Sequence, residues 1–147
     1  MLSFYKMTGG GNDFVMVDNR DHSYASILTR DNIADICDRR FGVGAAGLIA
    51  VEPAETEGAD VHMRCYNADG GEAEACGDGA RCFAAFVDFL TEGGMQVVRF
   101  QTLAGIAQGT VNDDDTVTIR LSALPADDTL TGPALIVFRG EVFVCEE

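Results

Sequence analysis

Only one lysine, Lys6, occurs in the chain, and 10 basic residues face 24 acidic ones, for a net charge of −14. A surface so poor in cations cannot neutralise a phosphate backbone, so nucleic-acid partners are excluded from the reading. The excess of acid reads as solvated surface. No apolar run approaches the roughly 18 residues a membrane helix needs, and no membrane association is expected. The opening MLSFYKMTGG lacks a basic segment followed by an apolar one, so no secretory signal is read. The five cysteines are odd in number and contain no CxxC. That spacing argues against a disulfide scaffold and a zinc site, and for a reducing, cytoplasmic setting. Internal repeats and low-complexity linkers are absent too. What is present is a 147-residue chain, 47 % apolar and 23 % charged, which can build one solid core.

Alternating and continuous apolar runs predict strands over 4–7 and 13–18 around the glycines Gly9, Gly10 and Gly11. The second is apolar on both faces, Phe14 and Met16 against Val15 and Val17, and should be buried on both. A helix over about 32–39, capped by Thr29 or Asp31, places Ile33, Ile36 and Cys37 on one face. Strands follow over 48–51 and 60–66. Residues 79–90 are apolar nearly all round, which requires a helix surrounded by other structure. Three more strands are expected over 96–102, 106–111 and 116–121, with Asp113, Asp114 and Asp115 in the turn between the last two. One or two further strands fit 134–144. The fold class is α+β, a mostly antiparallel or mixed β-sheet wrapped around a buried central helix.

The stretch CYNADGGEAEACGDGARCFAAF, residues 65–86, carries the chemistry. Cys76 stands among Gly70, Gly71, Gly77 and Gly79, at or just before the start of the apolar helix. Unpaired N–H groups and the positive end of the helix dipole favour a thiolate there. The same N–H groups can hold a carboxylate. A base beside a carboxylate cradle is what removal of an amino acid's α-proton requires. Cys37, Cys65 and Cys82 lie in amphipathic or apolar segments and read as core, and Cys145 is uninformative. His22 and His62 read as surface or strand residues.

Four stretches identify the family this chain resembles: 4–14 (FYKMTGGGNDF), 38–45 (DRRFGVGA), 67–83 (NADGGEAEACGDGARCF) and 102–105 (TLAG). They resemble the N-terminal half of diaminopimelate epimerase, an amino-acid epimerase that works without pyridoxal phosphate. The resemblance implies a two-base mechanism. One cysteine thiolate takes the α-proton, and a second cysteine on the opposite face returns one to the planar carbanion. Cys76 matches the first of the pair. Asn12 and Asn67 match substrate-contacting asparagines, and Gly77 and Asp78 supply the backbone N–H groups that hold the reacting carboxylate. From the residues alone, both asparagines read first as backbone partners at strand–turn junctions. Lys6 and Arg81 read as local ion-pair partners, with Glu72 or Glu74 as candidates. The implied substrate is diaminopimelate, with no cofactor and no metal.

The chain departs from the family pattern in three ways. Asp78 stands where the family usually has asparagine, so a negative charge is expected beside the carboxylate site. Ala46 stands where an acidic residue is usual. The chain is about half the family's usual length, which gives an expected division into an N-terminal domain over 1–120, a poorly matched start of an interdomain segment over 121–147, and no second domain. The second cysteine would then come from a partner chain or from a homodimer pairing two Cys76 residues across a cleft. The rival readings are a catalytically incomplete remnant that binds a small molecule or a protein, and a related racemase or isomerase of the same fold.

Overall fold

The computed structural model describes residues 1–74, 77–121 and 130–144. Among them, ten strands form one sheet and two helices pack on it. The strands are β1 (Leu2–Gly9), β2 (Asn12–Asp18), β3 (Gly47–Pro53), β4 (Val61–Asn67), β5 (Glu72–Ala73), β6 (Val97–Thr102), β7 (Gly105–Val111), β8 (Thr116–Leu121), β9 (Leu130–Pro133) and β10 (Leu135–Val142). The helices are α1 (Arg30–Cys37) and α2 (Gly77–Leu90). The order is β10-β1-β2-β3-β4-β6-β7-β8-β9, with β5 beside β4. Only β2–β3 and β4–β6 pair in parallel, so the sheet is mixed, as expected.

Residues 130–142, set apart in sequence from the first 120, belong to this same sheet. β9 pairs with β8, and after Ala134 the chain continues as β10, which pairs with β1. One segment therefore bridges the two ends of the strand order and nearly closes the sheet into a barrel.

The sheet buries apolar residues on both faces, and β2 shows why. Phe14 and Met16 point into a cluster with Ala80, Cys82, Phe83, Phe86 and Val87 of α2. Val15 and Val17 point the other way, into a cluster with Ile33, Ile36 and Cys37 of α1. The double-sided pattern read from the sequence is the consequence of one helix on each side. Gly109 of β7 lets α2 come close, since a Cβ there would lie 2.5 Å from the Cβ of Ala84. The last turn of α2 is open: Phe89 is 47 % exposed, and Tyr5, Ala85 and Phe89 border a cavity of about 790 Å³.

Helix α1 begins two residues earlier than the sequence suggested. Thr29 is its N-cap and accepts from the N–H of Asn32 at 3.2 Å. It stops at Cys37 because the Asp38 carboxylate accepts from the N–H groups of Arg40 and Phe41, both at 2.8 Å, which turns the backbone out of the helix. Cys37, Cys65 and Cys82 are buried, in agreement with their reading as core.

Candidate active site

The register brings the predicted residues to one end of the sheet. Phe14 of β2 is level with Gly47 of β3, and Gly47 with Asn67 of β4. Side chains alternate along a strand, so residues two apart share a face. Asn12 shares the face of Phe14 and Asn67 that of Cys65, and both of those pack in the cluster with α2. The two asparagines thus extend the α2 side of the sheet to its rim, where both are exposed. Asn67 also closes a turn: its carbonyl accepts from Gly70 N–H at 2.9 Å, and its N–H donates to Gly71 O at 2.8 Å.

The N-terminal turn of α2 reaches the same rim. Gly10 adopts φ +64, and a Cβ on it would lie 2.7 Å from Asp78 Oδ1 and 2.9 Å from Arg81 Nη2. Only glycine leaves the β1–β2 turn free to sit against this turn of the helix. Gly77 and Asp78, the first residues of α2, are therefore placed beside Asn12. Cys76 immediately precedes α2 in the chain but lies outside the described residues, as does Cys145.

Asp78 is not a bare charge. Its carboxylate accepts a short hydrogen bond from Arg81 Nη2 and another from Asn12 Nδ2 at 2.8 Å. Arg81 is 8 % exposed, so its guanidinium is a buried counter-charge. The sequence reading assigned Arg81 and Lys6 to Glu72 or Glu74, and the structure corrects this. Glu72 is taken by Arg64, with Nε at 2.7 Å. Lys6 Nζ lies 3.1 Å from Asp13 Oδ2.

Sequence reasoning missed Asp13 as a supporting residue. It faces away from Asn12, toward α1, and accepts from Arg39 Nη1 and Nη2 at 3.0 and 2.8 Å and from the N–H of Ala46 at 3.1 Å. The Arg39 hydrogen bonds, ahead of those of Lys6 and Ala46, hold its carboxyl well below the usual carboxylate range. Lys6 also donates to Gly44 O. This cluster fastens the loop after α1, and with it Ala46, behind the rim that carries Asn12. The alternation of Lys6 and Asp13 across a short hairpin was a legible signal, whereas the part played by Arg39 is long-range.

His62 lies on β4, buried, with Nδ1 3.2 Å from Glu55 Oε1. Among the described residues no cluster of histidine, cysteine and carboxylate side chains could hold a metal ion, and no helix is long and apolar enough to cross a membrane.

The structure is similar to that of methylitaconate-delta-isomerase, with a TM-score of 0.65 over 97 % of this chain and 95 % of that one, at 13 % identity, which shows the fold alone. The family follows from sequence: the profile of diaminopimelate epimerase matches residues 4–123, and the chain belongs to that family. It is 44 % identical over 144 residues to a diaminopimelate epimerase of Synechococcus sp. (strain JA-3-3Ab), covering 94 % of this chain and 50 % of the relative. To the diaminopimelate epimerase of Gluconobacter oxydans (strain 621H) it is 46 % identical over 118 residues, covering 80 % of this chain and 42 % of the relative. The chain thus spans about half the length of the curated relatives it matches.

Proposed function

We propose that this chain carries one half-site of a diaminopimelate epimerase, interconverting the LL and meso forms of 2,6-diaminopimelate by proton transfer at the α-carbon. The observation that carries this reading is the convergence of Asn12, Asn67 and the start of α2 on one rim, with Cys76 next in sequence to Gly77. In this reading the α-carboxylate sits on the N–H groups of Gly77 and Asp78. The Cys76 thiolate takes the α-proton and becomes a thiol, and the electron pair left on carbon is delocalised into the carboxylate. Oriented N–H dipoles stabilise that charge, so no cofactor enters the scheme. An acid on the opposite face then delivers a proton to the planar carbon. In the family reading that acid is a second cysteine from the half of the relatives' length that residues 1–147 do not span.

The remaining parts of the reading rest on simpler support. Eight buried residues of α2 favour it as the axis about which the sheet closes. Residues 1–120 form the domain's frame, and 130–142 complete its sheet. An odd number of cysteines with no CxxC spacing suits a reducing cytoplasm.

The test is deuterium exchange at the α-carbon of LL-diaminopimelate in heavy water, run beside a coupled assay for the meso form. Exchange needs one base, and epimerisation needs two. Exchange lost in Cys76→Ala supports the site. Absence of exchange in the parent chain at any concentration favours the rival, a non-catalytic binding domain.

A further inference from the structure

The far end of α2 holds a cavity that the rim does not use. The helix has 14 residues, so its last residue lies about 20 Å from Gly77 along the axis. There the sheet is not fully closed. A cavity of about 790 Å³ opens between the end of the helix, β1 with the start of β10, and the β7–β8 turn. That is the size of a site for a small organic molecule. Met7, Val117 and Ile136 give it apolar walls. Tyr5 and Phe89 present a pair of rings to it, with centroids 5.3 Å apart and planes at 68°.

The charged residues that line it are all acidic: Asp88, Glu92 and Asp115. Arg139 is level with Tyr5 on β10 but does not line the cavity. The placement of Asp88 and Glu92 works against the fold. The C-terminal end of a helix carries partial negative charge and is stabilised by cations. Asp88 stands in the last turn of α2 and Glu92 two residues beyond the helix, and no basic residue occupies that turn. Asp88 Oδ1 is also buried without a hydrogen-bond partner among the described residues. A buried acceptor without a donor is costly, and most in native proteins are paired. Three acidic side chains, a helix C-terminus, two aromatic rings and an unused acceptor point to one complement, a cation with an N–H to donate.

The walls and the charge together narrow the occupant. Among the described residues no cluster of acidic, histidine and cysteine side chains could hold a metal ion. An anion would meet three acidic groups, and a second copy of the chain would bring a further net charge of −14. A neutral apolar molecule would fill the space and leave Asp88 Oδ1 unpaired. We propose that this cavity is a binding site for an amphipathic amine. Its protonated amino group donates to Asp88 Oδ1 beside Tyr5, Phe89 and Glu92, and its apolar body lies on Met7, Val117 and Ile136. The site stands at the opposite end of α2 from Asn12 and does not depend on the reading of that rim.

The test uses three probes that share one apolar body: 4-phenylbutylamine, 4-phenylbutan-1-ol and 4-phenylbutanoate. Calorimetry on the full chain reads their affinities, and methyl shifts of Met7 and Ile136 in ¹³C-resolved spectra locate them. The amine should bind about tenfold or more tighter than the alcohol, the size of one hydrogen bond to a charged group. The butanoate should bind more weakly than the alcohol. Asp88→Asn keeps the shape of the side chain and should remove most of the preference for the amine. Glu92→Gln, at an exposed position, should remove a smaller part of it and serves if Asp88→Asn does not fold. Ala85→Leu fills the cavity and should abolish binding of all three probes without lowering the melting temperature. Equal affinity for amine and alcohol, or no binding of the amine at millimolar concentration, overturns the proposal. So does a preference that Asp88→Asn and Glu92→Gln both leave unchanged, or amine binding that survives Ala85→Leu. LL-diaminopimelate should leave the affinity for the amine unchanged, and competition between them would overturn the claim of a separate site.

Discussion

Asp13 gathers Arg39, Lys6 and the Ala46 N–H on one carboxylate, and its pKa is depressed chiefly by the Arg39 hydrogen bonds. A carboxyl held below its unfolded value of about 3.9 adds stability that is complete above that pH and is lost as pH falls toward the folded value. Asp13→Asn should therefore cost about 1 kcal/mol at pH 7, a figure kept low because Arg39 is well exposed. The cost should shrink toward zero below about pH 2, because the parent carboxyl is then becoming neutral as well. Urea midpoints at pH 7 and pH 2 would check both statements. The cysteines give a second test. Burial pushes the Cys37 thiol up to about 11, and Cys65 and Cys82 are buried too. Iodoacetamide at pH 8 should label Cys76 first, and peptide mass spectrometry would show the order. Prior labelling of Cys37, with Cys76 inert, would remove the thiolate from the mechanism. Much of this was legible, since Cys37, Cys65 and Cys82 each sat in an apolar pattern that only a core explains. Arg81 and Asp78 are three apart on α2, a spacing at which side chains meet, yet the sequence also offered Glu72 and Glu74 as partners. Only the fold shows that Glu72 is spent on Arg64.

Elements were legible where local chemistry decides them. Thr29 caps α1, and Thr29→Ala should cost about 1 kcal/mol in a thermal or urea melt. The composition of α2 announced a buried helix, and Phe83 shows the consequence: it is fully buried, with its ring centroid 4.9 Å from that of Phe100. Phe83→Ala should cost about 3–5 kcal/mol, since the site cannot collapse around so large a void. A loss below about 1 kcal/mol in the same melts would mean that α2 is not packed as described. Elements set by distant partners were not legible. β5 is two residues long and exists only because β4 lies beside it. β9 contains Gly132 and Pro133, which read as breakers, yet it pairs with β8. The shift of register between Lys6 and Met7 likewise has no local signature, because it arises where β10 meets β1.

At the scale of the whole molecule, closure of the sheet by 130–142 has a consequence for assembly. β10 is paired on one side by β1 and ends the strand order on the other. Leu135, Val137 and Phe138 on it are 58 %, 57 % and 47 % exposed, so the free edge is also apolar. Exposed apolar edges pair with other strands. The net charge of −14 opposes contact between copies, and salt screens that repulsion. The chain should therefore fold alone and associate reversibly, with the associated fraction rising between low and moderate salt in sedimentation experiments. Val137→Lys places a charge in the centre of the edge and should hold the protein monomeric at every salt concentration while leaving its melting temperature within a few degrees of the parent. An unchanged association in Val137→Lys would locate the contact elsewhere. Activity can be followed in the same samples. If the second proton donor comes from another copy across this contact, net epimerisation should rise with the associated fraction and vanish in Val137→Lys, while deuterium exchange by Cys76 persists in the monomer. Full epimerisation by a strict monomer would refute the need for a second body, and the two-base division of the site would fall with it.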